Sequence, residues 1–241
     1  MTFGRKNHVR IQYELANKRA EIQIYNKAMA KIEPFERHKV KYEEWFGKNI
    51  FAYKSELQAV RYLLPKRKNG VEIGVGTGRF AVPLGIRVGI EPSKVMREVA
   101  QEKGISVIDG VAEALPFEDC LFDFALMVTT VCFVDDIEAS FKEAFRVIKP
   151  NGFFINGFVD RNSSLGKFYQ QHKERNVFYK IATFYSVDEI ISYLKKAGFR
   201  NLTFAQTIFH TLEEIKEVET IKEGYGEGSF VVVSGMKPAQ D

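Results

Sequence analysis

Val71–Phe80 reads VEIGVGTGRF, with glycines at 74, 76 and 78 and an acidic residue, Glu72, two places before the first of them. The residues leading into Gly74 form a short apolar run, so the pattern is a strand that ends in a bare turn. Glycines at such a turn let a ligand approach the backbone, because no Cβ stands in the way. Spacing narrows the ligand. A dinucleotide fingerprint is G-x-G-x-x-G, and here Arg79 occupies the place of its third glycine. A phosphate-cradling P-loop would need Gly-Lys-Ser/Thr, which does not follow. A glycine-rich turn with no ligand is the simpler alternative when this motif stands alone.

The flanking sequence extends the pattern. Strands are expected at Gly70 to Gly74, Arg87 to Ile90, Ile105 to Ile108, Phe122 to Val128 and Phe153 to Val159. Helices are expected over 79–84 (short), Ser93 to Lys103, Asp136 to Ile148 and from Ser186 to a stop at Gly198. Ser186 and Glu189 read as a capping box, and so do Ser55 and Gln58 ahead of another apolar helix. Alternating strand and helix with apolar strands implies a parallel sheet covered on both faces, an open doubly wound α/β fold. Its ligand belongs beyond the strand C-termini. Asn201 to Phe209 and Ser229 to Ser234 lack a good crossover helix between them and read as an antiparallel closing pair. Glu91 ends the second strand, where a carboxylate can accept hydrogen bonds from both hydroxyls of a ribose. Capping the helix that starts near Ser93 is its competing role.

Four motifs, VEIGVGTGRF, GIEPS (89–93), DGVAEALPFEDCLFDFALM (109–127) and RVIKPNGFF (146–154), occur in an order that resembles class I S-adenosylmethionine-dependent methyltransferases. The AEALPF element is similar to the branch that holds many small-molecule methyltransferases. The resemblance runs from about Tyr42 to Lys237. It implies a Rossmann-like seven-stranded sheet, mostly parallel with an antiparallel last strand, and S-adenosylmethionine as cofactor. It places Gly74, Val75, Gly76 and Gly78 at the methionine part of the cofactor, Glu72 near its amino group and Glu91 on its ribose. Pro92, Met96, Ala112 and Glu113 fall around the adenine, Met127 and Val128 toward the sulfonium. Tyr42, Trp45 and Tyr53 close the site from the N-terminal side. The chain departs from the family where relatives carry Asp and this sequence has Val111. It departs again where they carry histidines and it has Cys132 and Phe133. A general base built on those histidines does not transfer.

The 241 residues suit one domain with an appendage, and 45% hydrophobic content suits a real core. Net charge is +4, yet residues 1–41 hold ten Lys/Arg against four Glu, so the body is near neutral and the front end basic. Two cysteines and four histidines show no disulfide framework and no metal-ligand spacing. No apolar leader or span is visible, and a cytoplasmic protein is expected. Residues 1–41 read as a basic amphipathic helical extension, ended by Pro34, that docks on the body or a second subunit. Residues 42–241 read as the methyltransferase domain, with a lid-like insertion at about 160–185. The lid is rich in aromatics, and Tyr169, His172 and Tyr179 are its candidates for binding substrate. Methyl transfer from a sulfonium is an in-line displacement that alignment and a dry pocket can drive, so a catalytic triad is not required, and none is seen. A small-molecule acceptor is the favoured reading. The alternatives are an RNA or protein methyltransferase using the basic front end, or a cofactor-binding module without turnover. The residues after the fourth strand, MVTTV, lack the Asn/Asp-Pro-Pro-Tyr/Phe motif of amino methylation on bases or glutamine, and no Pro-Cys occurs.

Overall fold

Among the described residues eight strands form one sheet, in the order Ser106–Ile108, Val88–Ile90, Gly70–Ile73, Phe122–Val128, Ile148–Val159, Phe230–Met236, Arg200–Thr207 and Lys222–Glu223. The computed structural model describes residues 30–66 and 69–239. The expected basic helix at 10–32 therefore lies almost entirely outside the described residues. In chain order the elements are α1 (Glu33–Arg37), α2 (Lys39–Lys48), α3 (Ile50–Leu63), β1 (Gly70–Ile73), α4 (Ala81–Leu84) and β2 (Val88–Ile90). There follow α5 (Lys94–Glu102), β3 (Ser106–Ile108), β4 (Phe122–Val128), α6 (Ile137–Val147) and β5 (Ile148–Val159). The chain closes with α7 (Ser164–Gln171), α8 (Val187–Ala197), β6 (Arg200–Thr207), β7 (Lys222–Glu223) and β8 (Phe230–Met236).

Strands β1 to β5 pair in parallel. β8 runs antiparallel between β5 and β6, so the antiparallel closing pair is present. The count exceeds the expected seven by β7, a two-residue edge strand on Ala205 and Gln206. Two exposed charged residues carry no strand periodicity, and the sequence gives no sign of them.

Strand β4 shows why both faces are covered. Phe124, Leu126 and Val128 enter one apolar cluster, while Ala125 and Met127 enter the other. Alternate residues point to opposite faces, so an unbroken apolar run needs helices on both sides. On the first face lie Ala52, Ala59 and Val60 of α3; on the second lie Phe141 and Ala144 of α6 with Ile190 and Leu194 of α8. Ser186 and Glu189 form the expected capping box, and Gly198 ends α8 in the left-handed region at φ 112°. Helix α4 is a single turn closed by Gly85.

One expectation about the first helices is corrected. Ser55 does not start a helix. α3 begins at Ile50, because nothing from Phe51 to Lys54 interrupts it, and Ser55 sits inside with its hydroxyl donating to the Phe51 carbonyl at 2.7 Å. The same hydroxyl accepts the Glu219 N–H at 2.8 Å, tying α3 to the segment between β6 and β7. Pro34 occupies the first turn of α1, where its missing N–H costs no hydrogen bond, and so opens a short helix.

Candidate active site

The turn after β1 is held by its glycines for three different reasons. Gly74 has φ 72°, and a Cβ there would lie 2.3 Å from the Thr130 methyl. Thr130 uses that space to donate its hydroxyl toward the Gly74 carbonyl at 3.2 Å. Gly76 has φ 53°, and a Cβ would stand 3.0 Å from the Tyr42 hydroxyl. Gly78, at φ 80°, faces Ile105 at 2.6 Å. Its missing Cβ lets the turn pack against Ile105, and it lines neither cavity.

Two cavities adjoin over the C-terminal ends of the parallel strands. The first is lined by Tyr42, Gly74, Gly76, Glu91, Pro92, Met96, Val111, Ala112, Glu113 and Val128. These come from the motifs after β1, β2, β3 and β4, gathered because every parallel strand ends at the same edge. The second is lined by Trp45, Phe46, Glu56, Cys132, Tyr169, Tyr179 and Phe184, among others. Phe35, Tyr42, Thr129 and Phe133 line both and form their common wall. Thr129 is itself at φ 51°, fixed by its N–H on the Gly157 carbonyl at 2.8 Å. Strained backbone in such a wall fits a functional site.

Buried carboxyl groups stand in and beside the first cavity. Glu91 is buried, its two oxygens accepting the N–H groups of Gly76 and Ser93 at 2.9 Å each. Burial raises its pKa to about 7 against those hydrogen bonds. Ser93 Oγ caps α5 by accepting the Met96 N–H, so Glu91 orders the cap and faces the cavity at once. Glu72, within β1, is fully buried and lines neither cavity, and one carboxylate oxygen, Oε2, has no partner among the described residues. Burial first, then the charge of Glu91, pushes its pKa well up against a hydrogen bond from the Ala81 backbone. The Tyr42 hydroxyl is driven upward by burial and then by Glu91, Glu72 and Glu43. An orphaned buried carboxylate oxygen beside a second buried carboxylate suits a cationic ligand with hydroxyls. S-adenosylmethionine offers an ammonium, a sulfonium and a ribose diol, so the donor set fits it.

The remaining sequence candidates divide. Val75 and Met127 are buried in the sheet and line neither cavity; the Val75 side chain occupies the space beside Gly89. Tyr53 also lines neither, and its hydroxyl donates to the Arg79 carbonyl at 2.5 Å. Trp45 belongs to the second cavity rather than the first. Glu113 Oε1 accepts the Asp135 N–H at 2.7 Å and helps set the start of α6. In the lid, Tyr169 and Tyr179 stack at 4.3 Å between ring centroids and face the second cavity. His172 does not. Its ring lies against Phe168 and its Nδ1 is 2.9 Å from the Phe168 carbonyl, because it ends α7 on the outer side.

Three lining features escaped the sequence reading. Phe35 falls in the segment assigned to the basic extension, yet it belongs to the common wall. Thr129 and Thr130 follow β4 without a recognisable motif. Glu56, 4% exposed, sits in the middle of the buried stripe of α3 between Ala52 and Val60. A charged residue inside an apolar helical stripe was its one available signal.

No helix among the described residues is long and apolar enough to cross a membrane, and no cluster of metal-binding side chains occurs among them. The model of the methyltransferase domain family matches residues 71–156. A Thermotoga maritima protein, described as an S-adenosylmethionine-dependent methyltransferase and possible histamine N-methyltransferase, shares 55% identity with a TM-score of 0.82. That match covers 84% of this chain and 97% of that one. The uncharacterized protein MJ1123 of Methanocaldococcus jannaschii is 45% identical over 84% of this chain and 98% of its own. A demethylmenaquinone methyltransferase of Chlorobaculum tepidum is 27% identical over 58% of this chain and 69% of its own. Ordered motifs, sheet topology and these likenesses agree: the chain belongs to the S-adenosylmethionine-dependent methyltransferases.

Proposed function

We propose that the enzyme transfers the cofactor's methyl group to a small molecule seated in the aromatic cavity, across the wall of Phe35, Tyr42, Thr129 and Phe133. The observation that carries this reading is the pair of cavities with that shared wall. One is charged and built from the strand-end motifs; the other is aromatic and roofed by residues 160–185. In-line displacement needs donor and acceptor on opposite sides of one transferred carbon, and adjoining cavities supply that arrangement.

In this reading Glu72 holds the cofactor's ammonium and Glu91 its ribose hydroxyls, each Glu91 oxygen keeping a second lone pair beside its backbone N–H partner. Gly74 and Gly76 present backbone to the methionine part. Pro92, Met96, Ala112 and the backbone of Glu113 enclose the adenine, with Val111 in place of the family's acidic side chain. Tyr169 and Tyr179 contact the acceptor. A histamine-type amine and a demethylmenaquinone, the acceptors in the names of two relatives, are both small molecules, which supports the class.

The test is release of S-adenosylhomocysteine from S-adenosylmethionine with a fractionated small-molecule metabolite pool, in the full chain and in a chain lacking residues 1–29. That truncation spares Phe35. Turnover with the pool, retained on truncation, is expected. Turnover only with RNA or protein, abolished by truncation, would move the assignment to the basic front end.

A further inference from the structure

The acceptor cavity holds one carboxylate, and nothing in the fold explains it. Glu56 projects from the middle of α3 into a space walled by Trp45, Tyr169, Tyr179 and Phe184. It is 4% exposed and has no hydrogen-bond partner among the described residues. Burial alone raises its pKa to about 8; no basic side chain opposes the shift. Lys41 is the basic residue in the lining, and it is exposed at the rim. A lone carboxylate in an aromatic chamber costs stability. Leu or Met would fill the same helical position without that cost.

Resting on the reading of this cavity as the acceptor site, we infer that Glu56 is its recognition and proton-accepting group, and that the acceptor is a small amine, cationic in solution. Three properties select that chemistry. A carboxylic acid would be repelled by Glu56. A neutral apolar molecule would leave the carboxylate buried and unpartnered. An ammonium is attracted by the carboxylate and by the faces of Trp45, Tyr169 and Tyr179 together.

The amine must also lose a proton before its nitrogen can attack. R–NH3+ gives that proton to the Glu56 carboxylate, leaving R–NH2 and a neutral carboxylic acid. The nitrogen lone pair then forms the N–C bond as the C–S bond breaks with its electrons kept by sulfur, so the positive charge passes from sulfur to nitrogen. Glu56 returns its proton to solvent as the methylated amine leaves. A carboxyl group that titrates near neutrality can do both. Neither Cys132, pushed to about 12 by burial, nor Tyr169, pushed to about 12 by burial and then by the charge of Glu56, is placed to serve as this base at neutral pH.

Trp45 is the chain's single tryptophan and lines this cavity, so its fluorescence reads acceptor-side binding without turnover. The experiment uses the full chain with S-adenosylhomocysteine bound, its affinity first measured by calorimetry. The probes are propylamine, histamine and 2-phenylethylamine, the alcohol isostere of each, and hydroquinone. At least one amine should bind ten-fold or more tightly than its alcohol. Glu56→Gln, which keeps size, should bring that preference within two-fold while S-adenosylhomocysteine affinity stays within two-fold of wild type. Glu56→Met should do the same and serves if the amide variant folds poorly. An amine no tighter than its alcohol in wild type, hydroquinone tighter than every amine, or a preference that survives both substitutions would each overturn the inference. Failure to bind S-adenosylhomocysteine at all would overturn the assignment of the first cavity as well, and so is distinguishable.

Discussion

The two cavities keep buried carboxylates for opposite reasons. In the first cavity Glu91 is held by backbone N–H groups at both oxygens, and Glu72, beside it in the sheet, by the Ala81 backbone at one. Glu72 lies within β1 and Glu91 directly follows β2, so the sheet makes their surroundings. In the acceptor cavity Glu56 has no such support and stands on a helix that would pack as well without it. The first arrangement is architecture that a ligand completes. The second is a functional group that the architecture merely tolerates. On the proposed reading, the cofactor is met by groups that the strand-end motifs position, and the acceptor by side chains from scattered segments.

The comparison breaks most forcefully at the turn. Gly74→Val puts a branched side chain at φ 72° and into Thr130. A loss on the order of 3 kcal/mol of stability is expected, with cofactor binding lost, read by thermal melting and calorimetry. A variant as stable as wild type would mean that the turn is not architecture.

A second effect, similar in size but opposite in sign, belongs to Glu56. Its folded pKa, about 8, lies above the ordinary carboxylate value of 4.5. The contribution it makes to stability is therefore complete below the unfolded pKa and is lost as pH rises through the folded one. Wild type should lose roughly 3 kcal/mol relative to Glu56→Gln between about pH 4.5 and 7. Glu72 and Glu91 titrate in the same sense but are common to both proteins and cancel in the difference. Melting curves of the pair across that range check it; parallel curves would show Glu56 to be supported after all.

In the cofactor cavity, Glu91→Gln weakens charge-assisted hydrogen bonds to the ribose. Such bonds contribute about 1.5–3 kcal/mol, so affinity for S-adenosylmethionine should fall by about one to two decades. Glu72→Gln, which removes the partner of the ammonium, should fall by a comparable factor while melting higher than wild type, because an orphaned carboxylate oxygen is removed. Unchanged affinity in both would refute the assignment of that cavity. The smallest effect is at His172, the lid residue outside both cavities. His172→Ala should alter stability by less than about 0.5 kcal/mol and leave turnover unchanged.

The same contrast explains what could be read from the chain. Gly74, Gly76, Glu91 and Ala112 lie in short motifs because each turn after a parallel strand is a continuous stretch, and a ligand along the sheet edge is met by stretches in order. Phe35, Glu56 and Thr129 converge from segments far apart, and no motif joins them. Strand β4 was legible to the residue because six of its seven positions are apolar, Asp123 alone excepted. Strand β7 was not, because its pairing depends on where residues 210–221 are led by Ser55 and by Thr207, whose hydroxyl donates to the Thr220 carbonyl at 3.1 Å. Gly78 shows a related ambiguity: a glycine required for packing and one required for a ligand are the same letter.

The wall of Phe35, Tyr42, Thr129 and Phe133 belongs to both cavities, so neither ligand can settle against it without changing what the other meets. Two sites sharing a boundary are linked, and linkage is reciprocal: the factor by which one ligand alters the affinity of the second equals the factor for the reverse. An acceptor can then be recognised by how it shifts the calorimetric affinity for S-adenosylhomocysteine, with no methyl transferred. A molecule too poor a nucleophile to react still reveals the shape and charge that this enzyme selects.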